Sequence, residues 1–246
     1  MTLYVSRFTA WAPGLSSAED WREWTAGTRR ISLTGESPEL PFIDPRFRRR
    51  LSQISRMTIQ VLHDLLPLEE DTGVVFLSFW GELTQQFKIN RMLITEGDIS
   101  PSAFPVSVFN TPPAAASIAL NLTAGYSAIY PARNRFADGL LVAAAPILAG
   151  TREETALVYA DEYPPPEYRG LHTLEPLSFG AALSRARKGD SIPVHLPQPQ
   201  AVPSPQAVSQ PQAVSNPQAV PSPQTELESP QSFLRYLWSF NPSTER

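Results

Sequence analysis

The sequence predicts an α/β fold with helices on both faces of a sheet. Three observations carry this. Strand-like apolar runs alternate with segments of helical periodicity up to about residue 196. The run Val74 to Trp80 is apolar almost throughout and bounded by Gly73 and Gly81, as a strand buried on both faces should be. Beyond residue 196 the composition turns abruptly Pro-rich, so the folded part ends there.

The elements follow in order. Leu3 to Trp11 alternates as a strand. Ser17 is placed to cap a helix over Ala18 to Ala26, with Glu19 and Asp20 in its first turn. Asp44-Pro45 opens one long helix to about Leu66, with Phe47, Leu51, Ile54, Met57, Val61, Leu62 and Leu65 at helical spacing. Val74 to Trp80 is the central parallel strand. Helices are expected over Glu82 to Ile94, Ser100 to Val108 and Pro112 to Leu122. Tyr126 to Tyr130 reads as a strand, Asn134 to Leu148 as an apolar helix, and Thr155 to Ala160 as a strand. Phe179 to Ala186 reads as an antiparallel edge strand. The result is a three-layer α/β/α domain over 1–196, with a mostly parallel sheet of five strands.

Pro-Gln-Ala-Val recurs from Pro199, Pro205, Pro211 and Pro217. Proline fixes φ and removes donors, so 197–228 is expected to be an extended, disordered linker. A plain spacer is the simpler reading, and a ligand for a proline-binding module the other. Residues 229–240 then form a short helix, with Ser229 as cap and Pro230 in the first turn. Phe233, Leu234, Leu237, Trp238 and Phe240 give it an apolar stripe too dense to leave in water. Phe233, Leu237 and Trp238 are the expected docking residues, on this domain or on a partner.

Composition excludes several functions. The 246 residues carry a net charge of -4, which argues against nonspecific nucleic-acid binding. No apolar run reaches the roughly 20 residues of a membrane span. The first residues lack a signal-peptide pattern, and a cytoplasmic location is expected. There is no Cys, hence no disulfide, thiolate ligand or thiol nucleophile. Metal-binding and phosphate-loop patterns are missing, so no metal or cofactor is expected. Glu69-Glu70-Asp71 and Glu153-Glu154 read as loop charges. Ser127 lacks the second glycine of a nucleophile elbow.

The segment Asn110 to Tyr130, with its Gly125-Tyr126-Ser127 turn, resembles the approach to the active-site cysteine of β-ketoacyl synthases, in the thiolase-like superfamily. Trp11 to Leu15 with Trp21 and Trp24, and Arg49 to Met57, are similar to further parts of that family. The resemblance implies a thiolase-like half-fold whose nucleophile position falls at about Asn134, where an amide cannot form an acyl-enzyme. Asn134 also reads simply as a helix cap. His63, His172 and His195 lie outside the turns where the family keeps its catalytic histidines. The chain is most similar to the chain-length-factor-type partner subunit of ketosynthases in aryl polyene biosynthesis.

That likeness implies a subunit without catalysis of its own. It would pair with a complete ketosynthase and help shape the acyl tunnel in polyene, polyketide or fatty-acid-like synthesis. The matching interface residues are Ala115, Ile118, Leu122, Tyr126, Ala128 and Tyr130. Arg46, Arg48, Arg49 and Arg50 are candidates for docking an acidic acyl carrier protein, whose phosphopantetheine arm would serve the partner. The plainer reading of these arginines is a solvated face paired with nearby acids. Two other functions stay open: an independent acyl-thioester hydrolase or acyltransferase using a residue other than Cys, and a Pro-rich scaffold. The apolar helix after Asn134 expects cover on more than one side.

Overall fold

The computed structural model describes residues 1–131, 135–169, 175–196 and 227–240. The chain runs β1 (Thr2–Trp11), α1 (Ala18–Ala26), α2 (Pro45–Arg48), α3 (Gln53–Leu65), β2 (Gly73–Leu77), α4 (Leu83–Glu96), α5 (Thr111–Leu120), β3 (Tyr126–Ile129), α6 (Phe136–Leu148), β4 (Glu154–Asp161), β5 (Leu177–Ser184), β6 (Ile192–His195) and α7 (Pro230–Ser239). The strands form one sheet in the order β3-β2-β4-β5-β1-β6. β2 pairs in parallel with β3 and β4. The pairs β4–β5, β5–β1 and β1–β6 are antiparallel.

The three-layer α/β fold is therefore present, with two differences in the sheet. It has six strands, and its parallel part is confined to β3, β2 and β4. The segment expected at the edge is central, because β5 lies between β4 and β1. Its Gly180 and Ala182 look weak as strand formers but make room for α3 on their shared face: a Cβ on Gly180 would stand 3.4 Å from the Val61 carbonyl oxygen, while Ala181 faces the opposite core. The antiparallel edge is β6, four residues long with Pro193 inside it, and so it does not announce itself.

The expected long helix is two. Asp44 accepts from the Arg46 and Phe47 amides to start α2. Ser52 accepts from the Ser55 amide to start α3. A serine that satisfies free amides favours a new helix start over continuation of the old one. The helix expected over Ser100 to Val108 is a single 3-10 turn, Phe104–Val106, around Pro105. Asn134, His172 and the Pro-Gln-Ala-Val repeats lie outside the described residues.

Strand periodicity divides the core. Val75, Leu77, Leu157 and Tyr159 face one way and pack with α1, α6 and α7. Val74, Phe76, Ala156 and Val158 face the other and pack with α3 and α5. α7 sits on its own sheet. The Phe233 ring lies 5.3 Å from Phe136 and 5.8 Å from Phe179. Trp238 stacks on Trp21 at 6.0 Å. Arg235 donates to the Trp24 and Thr25 carbonyls at the end of α1, and its guanidinium lies 4.2 Å from the Trp24 ring. Cationic groups belong at that negative end of a helix.

Removing the Phe233 ring would open a cavity between α6 and the sheet. Phe233→Ala should lower unfolding free energy by about 3 kcal/mol, measured by urea denaturation. A loss under about 1 kcal/mol would mean that α7 contributes little to the folded domain.

Candidate functional site

The carboxyl ends of parallel strands are where α/β folds tend to place their chemistry. Here β2 and β4 end side by side. The Ser78 hydroxyl, one residue past β2, donates to Asp161 Oδ1 at the end of β4 over 2.6 Å. Asp161 also accepts from the Phe79 and Trp80 amides and from the Tyr159 hydroxyl. Burial pushes its carboxyl up to about 6, and these donors limit the rise.

The turn from Ser78 leads to Gly81, whose φ of 60° is the left-handed conformation glycine tolerates. A Cβ there would stand 2.6 Å from the Phe109 ring. The next residue, Glu82, is fully buried. Its Oε1 accepts from Ser52 Oγ at 2.7 Å and Ser55 Oγ at 2.6 Å, while Oε2 has no hydrogen-bond partner among the described residues. Burial, and then the neighbouring Glu162, push the Glu82 carboxyl up to about 8. Glu162 accepts from the Thr84 amide at the start of α4 over 2.7 Å. Burial raises it to about 7. Three buried carboxyls thus cluster at one end of the sheet, with Glu82 neutral near pH 7.

Two hollows adjoin the cluster. A groove of about 310 Å³ runs over Glu82, Ser52 and Ser55, between Phe47 and Leu51 on one side and Val106, Val108 and Ile118 on the other. An open cleft of about 750 Å³ lies on the other side of the α2–α3 corner. It is lined by Arg49, Arg50, Lys88, Arg91 and Arg169 against Glu162 and Glu167, so its rim is predominantly cationic. No group of three or more His, Asp or Glu among the described residues could hold a metal ion.

The residues singled out from the sequence are scattered relative to these hollows. Arg49 and Arg50 line the cationic cleft. Arg46 is exposed on α2, and Arg48 is tied to the Glu39 and Leu40 carbonyls. The interface set lies along α5 and β3. Ile118 is 72% exposed, Tyr130 57% and Tyr126 37%. Leu122 and Ala128 are half-buried, whereas Ala115 packs into the core and only borders the groove. β3 pairs only with β2 among the described strands. Phe233 and Leu237 are buried under α7. Glu154 is not a loop charge: it opens β4, buried, with Lys188 Nζ at 3.3 Å. The acids that matter, Glu82, Asp161 and Glu162, were not singled out from the sequence. Asp161 and Glu162 had a positional signal, ending and following the apolar strand β4, whereas Glu82, at the start of α4, had none in its local sequence.

Residues 21–239 match the family model described as the N-terminal domain of β-ketoacyl synthase. The chain belongs to the β-ketoacyl synthase family. Among solved structures it is similar to a chain in the complex of the ketosynthase ApeO with its chain length factor ApeC from Xenorhabdus doucetiae, at 26% identity and TM-score 0.64, over 76% of this chain and 80% of that one. It is also similar to the ishigamide ketosynthase/chain length factor, at 17% identity and TM-score 0.58, over 76% of this chain and 63% of that one. A β-ketoacyl synthase from Burkholderia phymatum STM815 matches at 12% identity and TM-score 0.54, over 75% of this chain and 59% of that one. No curated protein matches the chain. The last two likenesses show the fold, and the chain spans less than two thirds of either. The ketosynthase and chain-length-factor resemblance read from the sequence stands, and the chain is ketosynthase-like.

The buried acids set a pH dependence. Glu82 and Glu162 titrate higher folded than unfolded, so the folded state holds the extra protons. Their contribution is complete below about pH 4.5 and is lost as pH rises through about 7 to 8. Thermal stability should therefore fall between about pH 5 and 8.5, by on the order of a few kcal/mol, and fall less steeply in Glu82→Gln. Identical pH profiles for the two proteins would remove Glu82 as the cause.

Proposed function

We propose that this chain is a non-catalytic, chain-length-factor-type subunit that pairs with a complete ketosynthase and forms part of the wall around its growing acyl chain. The observation that carries the reading is the β3 edge. A strand with one side unpaired among the described residues, flanked by the exposed Ile118, Tyr126 and Tyr130, offers both main-chain donors and acceptors and apolar area to a second sheet. Two further facts support it. The sequence has no Cys to serve as the acyl nucleophile. The structure at 26% identity comes from a ketosynthase complexed with its chain length factor.

The same reading assigns the synthesis of polyene or related polyketide chains as the context and the cytoplasm as the location. Among the described residues no helix is long and apolar enough to cross a membrane. The cationic cleft at Arg49 and Arg50 suits the acidic surface and phosphodiester of an acyl carrier protein bringing substrate to the partner. The expected linker, 197–228, serves up to residue 226 as the spacer that lets α7 reach its seat, since Leu227 is already buried in the core. An independent acyltransferase or hydrolase has less support. Among the described residues, the imidazole contacts that could activate or orient a group, Thr2 with His195 and Asp64 with His63, are exposed and line neither hollow.

Co-expression with a complete ketosynthase of the same biosynthetic system should give a stable 1:1 complex by size-exclusion chromatography. Ile118→Glu, at an exposed position, should abolish co-elution while leaving the melting temperature of the isolated chain unchanged. A chain that never co-elutes, and whose deletion leaves the products unaltered, would exclude the pairing.

Charge reversal at the cleft tests the carrier-protein reading separately. Arg49→Glu with Arg50→Glu should weaken carrier-protein binding to the complex by about tenfold at low salt and by much less at high salt. Unchanged affinity in surface plasmon resonance would return both arginines to a solvated face.

A further inference from the structure

The chain between β2 and α5 leaves the body of the domain and returns to it. Its outward leg is anchored at the start. The Thr84 amide donates to Glu162 over 2.7 Å, and the Phe87 ring lies 5.7 Å from Tyr168. Its return leg is anchored at the end, where Ser107 is buried and Thr111 Oγ1 donates to the Pro105 carbonyl. Between these anchors the packing runs out. Leu83 and Ile89 are the buried apolar residues of α4, and past Ile89 each of its side chains is exposed or half-buried. Ile94 is 83% exposed and Leu93 48%, and Phe104 on the return leg is 58% exposed. Helices of this length draw most of their stability from packing an apolar face. The distal half of α4 instead carries its aliphatic side chains outward.

We propose that residues 90–104 form a docking arm, which seats Leu93, Ile94 and Phe104 in an apolar recess of the same ketosynthase whose sheet pairs with β3. The arm's role rests on the pairing proposed above and goes beyond it, because the arm supplies surface that the β3 edge lacks. A stable interface buries about 800 Å² on each partner and takes roughly 20–30 residues a side. β3 is four residues long, and the exposed side chains beside it are Ile118, Tyr126 and Tyr130. An edge of that size falls well short of a stable interface. The arm continues the same strip. Val106, at the foot of its return leg, lines one groove wall with Ile118, and Pro105 is tied to the first residue of α5. A surface laid over Ile118 therefore reaches the foot of the arm.

The two elements contribute differently. The β3 edge sets register through main-chain hydrogen bonds, which are much the same for any strand laid against it. The arm adds buried apolar area at exposed side chains, and this holds a complex together once it has formed. Leu93, Ile94 and Phe104 line neither the groove nor the cationic cleft, so the arm is a surface separate from both. Its tip offers aliphatic and aromatic groups, so the recess that receives it is apolar.

The test titrates the full chain against an immobilised complete ketosynthase of the same biosynthetic system, in surface plasmon resonance. Ile94→Glu and Phe104→Ser each remove an exposed apolar group and should leave the melting temperature of the isolated chain unchanged. Each should weaken the complex by about tenfold or more, chiefly through faster dissociation, whereas Ile94→Met should stay within about twofold of wild type. Ile118→Glu reads the pairing itself. If Ile118→Glu abolishes binding while Ile94→Glu and Phe104→Ser bind as wild type does, the arm is excluded and the pairing stands. Absence of binding by the wild type excludes both. If the isolated chain is a dimer that Ile94→Glu dissolves, the arm belongs to self-association and the proposal fails. Should a variant not fold, hydrogen–deuterium exchange of the wild type decides. Amides of 90–104 should gain protection in the complex together with those of β3, and protection at β3 alone overturns the proposal.

Discussion

The hydrogen bond from Ser78 to Asp161 holds together the end of the molecule on which everything else depends. It joins the carboxyl ends of β2 and β4 at 2.6 Å, and the same carboxylate gathers the Phe79 and Trp80 amides. The turn after β2 is thereby fixed rather than free. Because the turn is fixed, Gly81 sits against Phe109 and Glu82 is carried beneath the α2–α3 corner, where Ser52 and Ser55 meet it. Both hollows border residues positioned by this turn. A buried carboxylate is costly unless its oxygens are occupied, and here four donors occupy those of Asp161. Glu82 receives two among the described residues, and it is pushed further from its ordinary range.

The second constraint is how a sheet of this kind covers itself. An α/β sheet buries both faces, and the helix after β3 is apolar nearly all round. α7 meets part of that demand. Phe233 inserts between Phe136 at the start of α6 and Phe179 on β5, and Trp238 lies against Trp21 and Phe8. The tail is thus part of the layer that holds α6 in place. What it does not cover is the β3 edge, with Ile118, Tyr126 and Tyr130 beside it. Cover on the face leaves Ile118, Tyr126 and Tyr130 as a strip of exposed apolar area beside the β3 edge.

The periodic signals were legible in the sequence and the tertiary ones were not. Strands such as β2 and β4 and helices α1 and α5 follow from pattern and capping, because those depend on neighbours in the chain. β5 was legible as a strand but not in its place: small residues read as weakness until the packing of α3 against Gly180 gives them a purpose. The break between α2 and α3 rests on one serine, Ser52, whose capping value competes with a helical periodicity that continues straight through it. Arg49 and Arg50 could be nominated from charge alone. Glu82 could not, since its significance comes from two serines 30 and 27 residues away and from a burial no local window reveals.

Phe109 ties the groove to the edge. Its ring packs where a Cβ on Gly81 would otherwise stand, lies 6.1 Å from Phe76 in the core, and sits 6.5 Å from the exposed Tyr130 beyond β3. One aromatic side chain therefore touches the turn that positions Glu82, the strand that anchors it and the residue at the open edge. Close-packed interiors pass displacements on rather than absorb them. A sheet added along β3 would press first on Tyr130 and Ile118, and Ile118 is itself part of the groove wall.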